Sequence, residues 1–368
     1  MTAVELLQDL IRFDSTSCHS NVEITQFIER LLLKLEFEVE IVDFIDSNGV
    51  TKANLIAKKG TGDGGLAYFG HTDVVPAKPD AFHPAIENDK LYGRGSCDMK
   101  GSIACMLTAV SQASNLKAPI YITCTADEEV DYGGAREVSH RSYLFHEMVD
   151  AQPRGIIGEP TRLEVVYAHK GSATFRVTSH GEAAHSSTRA GLNANLAMIP
   201  FLTEMKAIHD ETESDSKWQN DEYDPPSLSW NIGINDHTTA VSMKAAQSIC
   251  TVYLRPMPEV DHAPLIERAR QAASDNGLSF EMLDHDPPLY VEPTTAIVQE
   301  MLEITGRRTA TTVSYTTDGT QLQAIKNLIV FGPGDIAQAH TDSEFIELEQ
   351  LERGTELFSR MIQRWCCH

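Results

Sequence analysis

The sequence has no CxxC pair, no excess of basic residues and no long apolar run. Its seven cysteines (Cys18, Cys97, Cys105, Cys124, Cys250, Cys366 and Cys367) are scattered and odd in number, which argues against a disulfide framework and for reduced thiols. Thirty Lys and Arg stand against 53 Asp and Glu, a net charge of -23. The basic patch that nucleic acid or an anionic membrane requires is therefore missing. No apolar segment approaches the roughly 20 residues of a membrane span. The opening MTAVELLQDLIRF has acidic residues at helical spacing where a secretory signal has a basic flank and an apolar core. These absences set the expectation of a cytoplasmic protein with no nucleic-acid or membrane partner.

What is present is an ordinary globular composition, 42% hydrophobic and 23% charged over 368 residues, long enough for two domains. Apolar spacing predicts helices over 3–13 and 21–36, and strands over 37–45, 53–57 and 66–69. A helix after Gly101 is rich in small residues suited to packing on a sheet. Residues 119–125, PIYITCT, form a nearly continuous apolar run, as an internal strand would. Gly155–Gly158 is another. Strands alternating with helices predict an α/β domain, an open and mostly parallel sheet with helices on both faces. Between 171 and 285 the pattern changes to longer alternating strands around two helices, 193–209 and 262–275, which predicts an inserted α+β domain. The catalytic domain would then comprise 1–170 and 286–368, the latter with helix 294–304, strand 328–331 and a closing helix over 347–364. The polar stretch 212–226, TESDSKWQNDEYDPP, reads as a mobile loop.

Chemistry concentrates between Leu66 and Gly101. The apolar run before Gly70 leads to His71 and Asp73, alternate residues that share a face if the strand continues. Asp98 follows at the end of a turn containing Gly93 and Gly95. Other predicted strands end in Glu128 and Glu129 and in Glu159, and His340 closes the loop GPGDIAQAH. Taken singly, each has an ordinary reading: a hydrogen-bonded strand-end histidine, an aspartate cap, a solvated helix start. In open α/β sheets, however, ligands bind beyond the carboxyl ends of the strands. Two histidines and several carboxylates there are enough for two divalent cations about 3.5–4 Å apart. Adjacent glutamates can divide the labour, one on metal and one on the attacking water. Cys97 abuts Asp98, but a thiolate suits such an oxygen-rich set poorly. Cys366, Cys367 and His368 read as a frayed tail.

The segments GHTDVVP (70–76), LYGRGSCDMKG (91–101), DEEV (127–130), GEPT (158–161), HGEAAHSS (180–187) and GPGDIAQAH (332–340) resemble, in order, the M20 metallopeptidase family. That resemblance implies two divalent metal ions, Zn with Co or Mn as alternatives. His71 would ligate the first, with Asp73 orienting its ring, and Asp98 would bridge both through a residue whose peptide bond to Met99 is cis. Glu128 matches the general base, Glu129 a ligand of one metal, Glu159 a ligand of the other and His340 the last ligand. The insert matches a lid that also forms a homodimer, from which His185 reaches the partner's site to hydrogen-bond the oxyanion. Arg255 would hold the substrate carboxylate, with Asn231 as a second polar contact and Thr317 and Asp318 lining a side-chain pocket. The implied reaction is hydrolysis of an N-acyl amino acid, with N-acetylornithine in arginine biosynthesis nearest. Desuccinylation of succinyl-diaminopimelate and dipeptidase or carboxypeptidase action are the alternatives within the family. A non-catalytic metal- or ligand-binding relative is the alternative of another class, against which the presence of Glu128 counts.

Overall fold

The computed structural model describes residues 1–238 and 240–367. The chain forms two compact units: one comprises 1–168, 291–311 and 317–368, the other 169–290 and 312–316.

In the first unit, strands Glu38–Ile45, Thr51–Lys59, Ile120–Thr125, Leu66–His71, Arg154–Ile157, Leu328–Val330 and Val166–His169 lie side by side in that order. The central four are mutually parallel, and the strands outside them pair antiparallel. Every residue of Leu66–His71 and of Ile120–Thr125 is buried, which is why both read as unbroken apolar runs. Helices Lys100–Ser111 and Leu348–Cys366 pack on Leu66–His71, and Val22–Lys34, Gly133–Arg141 and Tyr143–Ala151 pack on Thr51–Lys59. Lys100–Ser111 is buried on all its faces, every residue from Lys100 through Val110, so it shows little amphipathic stripe. Leu348–Cys366 is the opposite. Its buried Leu351, Leu357, Phe358, Met361, Ile362 and Trp365 form one stripe, and Phe358 meets Tyr68 and Phe331 edge-on at 5.6 and 6.1 Å. Truncating such an aromatic to Ala costs about 3–5 kcal/mol. A small antiparallel sheet of Phe345–Glu347, Lys90–Tyr92 and Ala85–Glu87 ties the last segment to the loop that precedes Asp98.

The second unit is an antiparallel sheet in the order Asn231–Asn235, Gln247–Leu254, Ser172–His180, Ser279–Asp286. Helices Ala194–Ser214 and Ala263–Asp275 pack on it and on each other. Alternate residues of Gln247–Leu254 are buried, the period-2 signature of a sheet covered on one face.

Four segments depart from the sequence reading. Gly133–Arg141 and Tyr143–Ala151 are helices where none was anticipated, and Ser279–Asp286 is a strand despite its four charged or imidazole side chains. The stretch 212–226 is not a free loop. The helix runs on to Ser214, and Trp218 and Tyr223 are buried. Trp218 donates its indole N–H to Glu211, and Lys170 donates to the carbonyls of Pro225 and Ser227. Its polar composition hid two aromatic anchors.

Candidate metal centre

Parallel strands place their carboxyl ends on one edge of a sheet, so residues distant in sequence gather there. His71 is the last residue of Leu66–His71, Glu128 and Glu129 follow Ile120–Thr125, Glu159 follows Arg154–Ile157 and His340 lies beyond Leu328–Val330. They converge. His71 Nε2 lies 3.1 Å from Asp98 Oδ1, 3.6 Å from Glu159 Oε1 and 3.9 Å from Glu128 Oε2. His340 Nε2 lies 2.9 Å from Glu129 Oε2 and 3.5 Å from the other Asp98 oxygen, Oδ2. Asp98 thus stands between the two imidazoles and shows one oxygen to each. Two sets of ligand atoms are close enough to share an ion, His71–Glu128–Glu159 and His71–Asp98–Glu129. The Asp98–Met99 peptide bond is cis.

Side chains behind the cluster hold it in place. The His71 ring sets Nδ1 2.9 Å from the Asp73 backbone carbonyl, with the Asp73 carboxylate farther off at 3.6 Å. That carboxylate is occupied elsewhere, accepting the backbone N–H of Glu128 and of Glu129, each at 3.2 Å, and the Ser17 hydroxyl at 2.8 Å. Asp73 therefore fixes the Glu128–Glu129 turn as well as the ring. Asp127, just before that turn, adopts a left-handed φ of 56° and pairs at 2.7 Å with the buried ammonium of Lys52. Glu344 was not anticipated. It is one acidic residue in the run TDSE, and nothing in the spacing separates it from a helix cap. In the fold it is buried and accepts the backbone N–H of Gly95, Cys97 and Asp98 together with the Arg94 guanidinium.

Burial and crowding shift the titration of every member of the cluster. Burial and the neighbouring Glu159 push Glu128 well above the usual carboxylate range, against the pull of His71. Burial and Asp98 do the same to Glu159, and more mildly to Glu129. Asp98 is held low despite its burial, because His340 and His71 hydrogen-bond to it. The imidazoles are driven the other way. His340 rises to about 10 through its hydrogen bonds to Asp98 and Glu129. Burial disfavours a charged His71, but hydrogen bonds to Asp73 and Asp98 overcome this and raise it well above the ordinary value. A divalent cation bound here would favour ionised carboxylates and neutral imidazoles. An oxygen- and imidazole-rich donor set with no sulfur fits Zn, Co or Mn. Cys97 is buried and turns its thiol to the Asp335 carbonyl.

Asp318 is buried in the same unit, its Oδ2 accepting the Thr125 hydroxyl at 2.6 Å, and burial raises its carboxyl to about 7. Thr317 is fully buried and accepts the Gly319 N–H. His185, Asn231 and Arg255 belong to the second unit. There His185 is exposed with Nδ1 2.7 Å from the Ser187 hydroxyl, Asn231 opens an exposed strand, and Arg255 donates to Thr316. Cys366 ends the last helix buried against the Pro119 carbonyl, so this part of the tail is anchored rather than frayed; His368 lies outside the described residues. Among the described residues no helix is long and apolar enough to cross a membrane.

Comparison with known proteins identifies the family. The sequence profile of peptidase family M20/M25/M40 matches residues 67–364. An acetylornithine deacetylase of Myxococcus xanthus is 31% identical over 98% of the chain and 96% of its own length. One of Yersinia pestis is 33% identical over 96% and 93%. Among solved structures, an M20 family metallo-carboxypeptidase of Sulfolobus solfataricus superposes with a TM-score of 0.75 at 15% identity, covering 98% of each chain. Aminopeptidase PepT of Bacillus cereus gives 0.74 at 19%, covering 98% of this chain and 97% of its own.

Proposed function

The chain belongs to peptidase family M20/M25/M40, and on that footing we propose that it hydrolyses the amide bond of an N-acyl amino acid, N-acetylornithine foremost. The observation that carries the reading is Asp98, whose two oxygens face His71 at 3.1 Å and His340 at 3.5 Å with glutamates closing each side. His71, Glu159 and Asp98 would hold one divalent cation; His340, Glu129 and Asp98 would hold the other. Bound Zn, or Co or Mn, supplies Lewis acidity and brings the pKa of a water toward neutrality. Glu128, adjacent to His71, takes the proton of the attacking water and delivers it to the departing amine. Asp73 keeps the Glu128 turn in register through its two backbone hydrogen bonds.

The second unit would complete the site as a lid. Arg255, with its planar fork, would hold the substrate carboxylate, Asn231 would add a polar contact, and Thr317 and Asp318 would border the amino-acid side chain. His185 would donate to the oxyanion from a second copy of the chain. In support of a homodimer through this unit, Leu196 and Ile199 on one face of Ala194–Ser214 are 65% and 56% exposed, Leu192 just before that helix is 59% exposed, and Ile234 on the sheet's edge strand is 61% exposed. Large exposed apolar side chains in such number are what a partner would cover. The acetylornithine deacetylase relatives support the acetyl and ornithine assignments, and with them a cytoplasmic role in arginine biosynthesis.

A panel of N-acetylornithine, N-succinyl-diaminopimelate and dipeptides tests the assignment. Preferred turnover of N-acetylornithine is expected. Its absence, with turnover of either other class, would transfer the protein to the desuccinylase or dipeptidase branch.

A further inference from the structure

Glu344 has no part in the chemistry above, yet its carboxylate is the most fully used in the first unit. Oε1 accepts the N–H of Cys97 at 2.8 Å and of Asp98 at 3.0 Å; Oε2 accepts Arg94 Nη1 at 2.7 Å and the N–H of Gly95 at 3.0 Å. Loop 94–98 is therefore wrapped around this one side chain, three of its N–H groups forming an anion-binding nest while that of Ser96 turns to the Gly93 carbonyl. Glu344 is 3% exposed and Arg94 4%, so neither charge has water to fall back on. The register is set by the small sheet. Phe345 pairs with Tyr92, which brings the Glu344 carbonyl onto the N–H of Gly93 at 3.0 Å.

The two ends of this clamp are the two loops of the metal centre. Asp98 terminates the nest, and His340 stands four residues before Glu344 on the same loop. His71 needs no such help, because it is buried at the end of a central strand. The His340 side chain is 54% exposed and belongs to no helix or strand. Its distance to Asp98 therefore depends on whatever ties its loop to loop 94–98.

We propose that Glu344 is a positioning residue that sets the spacing between Asp98 and His340, and so governs the second cation site selectively. This rests on the two-cation reading of the centre. Without the Glu344 carboxylate, the N–H groups of Gly95, Cys97 and Asp98 and the Arg94 guanidinium are left buried and unpaired. Loop 94–98 then relaxes away from the His340 loop, and the site bounded by His340, Glu129 and Asp98 opens. The site at His71 and Glu159 shares Asp98 but keeps its two ligands at the ends of central strands, so it is disturbed less.

The test is a cobalt(II) titration of the metal-free chain, following the visible absorption of each bound ion and counting ions by metal analysis. Wild type and the Glu344→Gln and Glu344→Asp variants are compared, with melting temperatures in parallel. Gln keeps the size but removes the charge opposite Arg94; Asp keeps the charge but draws it back by one methylene. The expected result is two cobalt ions in wild type. In Glu344→Gln the second ion should bind about 10- to 100-fold more weakly, the usual effect of losing a partner behind the ligands, while the first, which keeps His71 and Glu159, is weakened less. Glu344→Asp should fall between. Equal weakening of both ions, or wild-type binding of both in a folded variant, would overturn the proposal. A wild-type chain that takes up no second ion would overturn the two-cation reading along with it, and shows this before any variant is made.

Discussion

The Asp73 carboxylate accepts the backbone N–H of Glu128 at 3.2 Å, so a residue two positions beyond a candidate ligand on one strand holds the candidate base that follows the next. Its other oxygen takes the N–H of Glu129. An amide cannot accept both, because its nitrogen faces a donor. Asp73→Asn is therefore expected to lower activity about 10- to 100-fold with the fold intact by circular dichroism. Wild-type kcat in this variant would contradict the role.

Glu128 is expected to act on protons rather than to retain the ions. Glu128→Gln should lower kcat on the order of 100- to 10,000-fold and leave metal content and KM near wild type. The comparison is made by steady-state kinetics beside metal analysis. Loss of metal in this variant would make Glu128 a ligand, which its place in the His71–Glu128–Glu159 set also permits geometrically.

How much of this was legible beforehand follows from what the residues are. The strand ends were legible, because buried parallel strands are apolar throughout and their first polar residues mark the sheet's edge: His71, Glu128 and Glu159 stand out for that reason. Gly133–Arg141 was not legible, since it opens with two glycines and carries Arg136, Glu137, His140 and Arg141 on its surface. Ser279–Asp286 breaks its alternation at Met282–Leu283, where the pairing register shifts, and ends in three polar residues, so it gave too weak a run. Glu344 was beyond reach, because its importance comes from backbone N–H groups some 250 positions away in sequence, which no composition or spacing records.

Chelation should weaken the fold as well as stop catalysis. With the cations removed, Glu128, Glu129 and Glu159 share one buried cluster with, among the described residues, only the imidazoles of His71 and His340 to offset their charge. An ion present at about 100 times its dissociation constant stabilises the native state by about 2.7 kcal/mol. Treatment with a chelator is thus expected to abolish activity and lower the melting temperature, and added Zn, Co or Mn to restore both. An unchanged melting temperature would argue against structural ion binding at this centre.

The second unit carries its own pH dependence. His169 is fully buried, Nδ1 lying 2.7 Å from the Lys170 carbonyl. Burial, aided by the Arg255 charge, lowers its pKa to about 4 from 6.5. Between those values the unfolded chain binds a proton that the folded chain refuses. Stability attributable to this group is therefore intact above about pH 6.5 and falls as the pH drops to about 4, by up to about 3 kcal/mol. Melting temperatures of wild type and His169→Gln across this range should diverge in slope, with the variant flatter; parallel curves would contradict the assignment.

The account depends above all on five side chains, His71, Asp98, Glu129, Glu159 and His340, enclosing a pair of cations. Anomalous diffraction from crystals grown with zinc, collected at its absorption edge, examines this directly. Two peaks are predicted, one among His71, Asp98 and Glu159 and the other among His340, Asp98 and Glu129. A zinc-loaded crystal with no anomalous peak at Asp98, or with zinc only at sites remote from it, would contradict it.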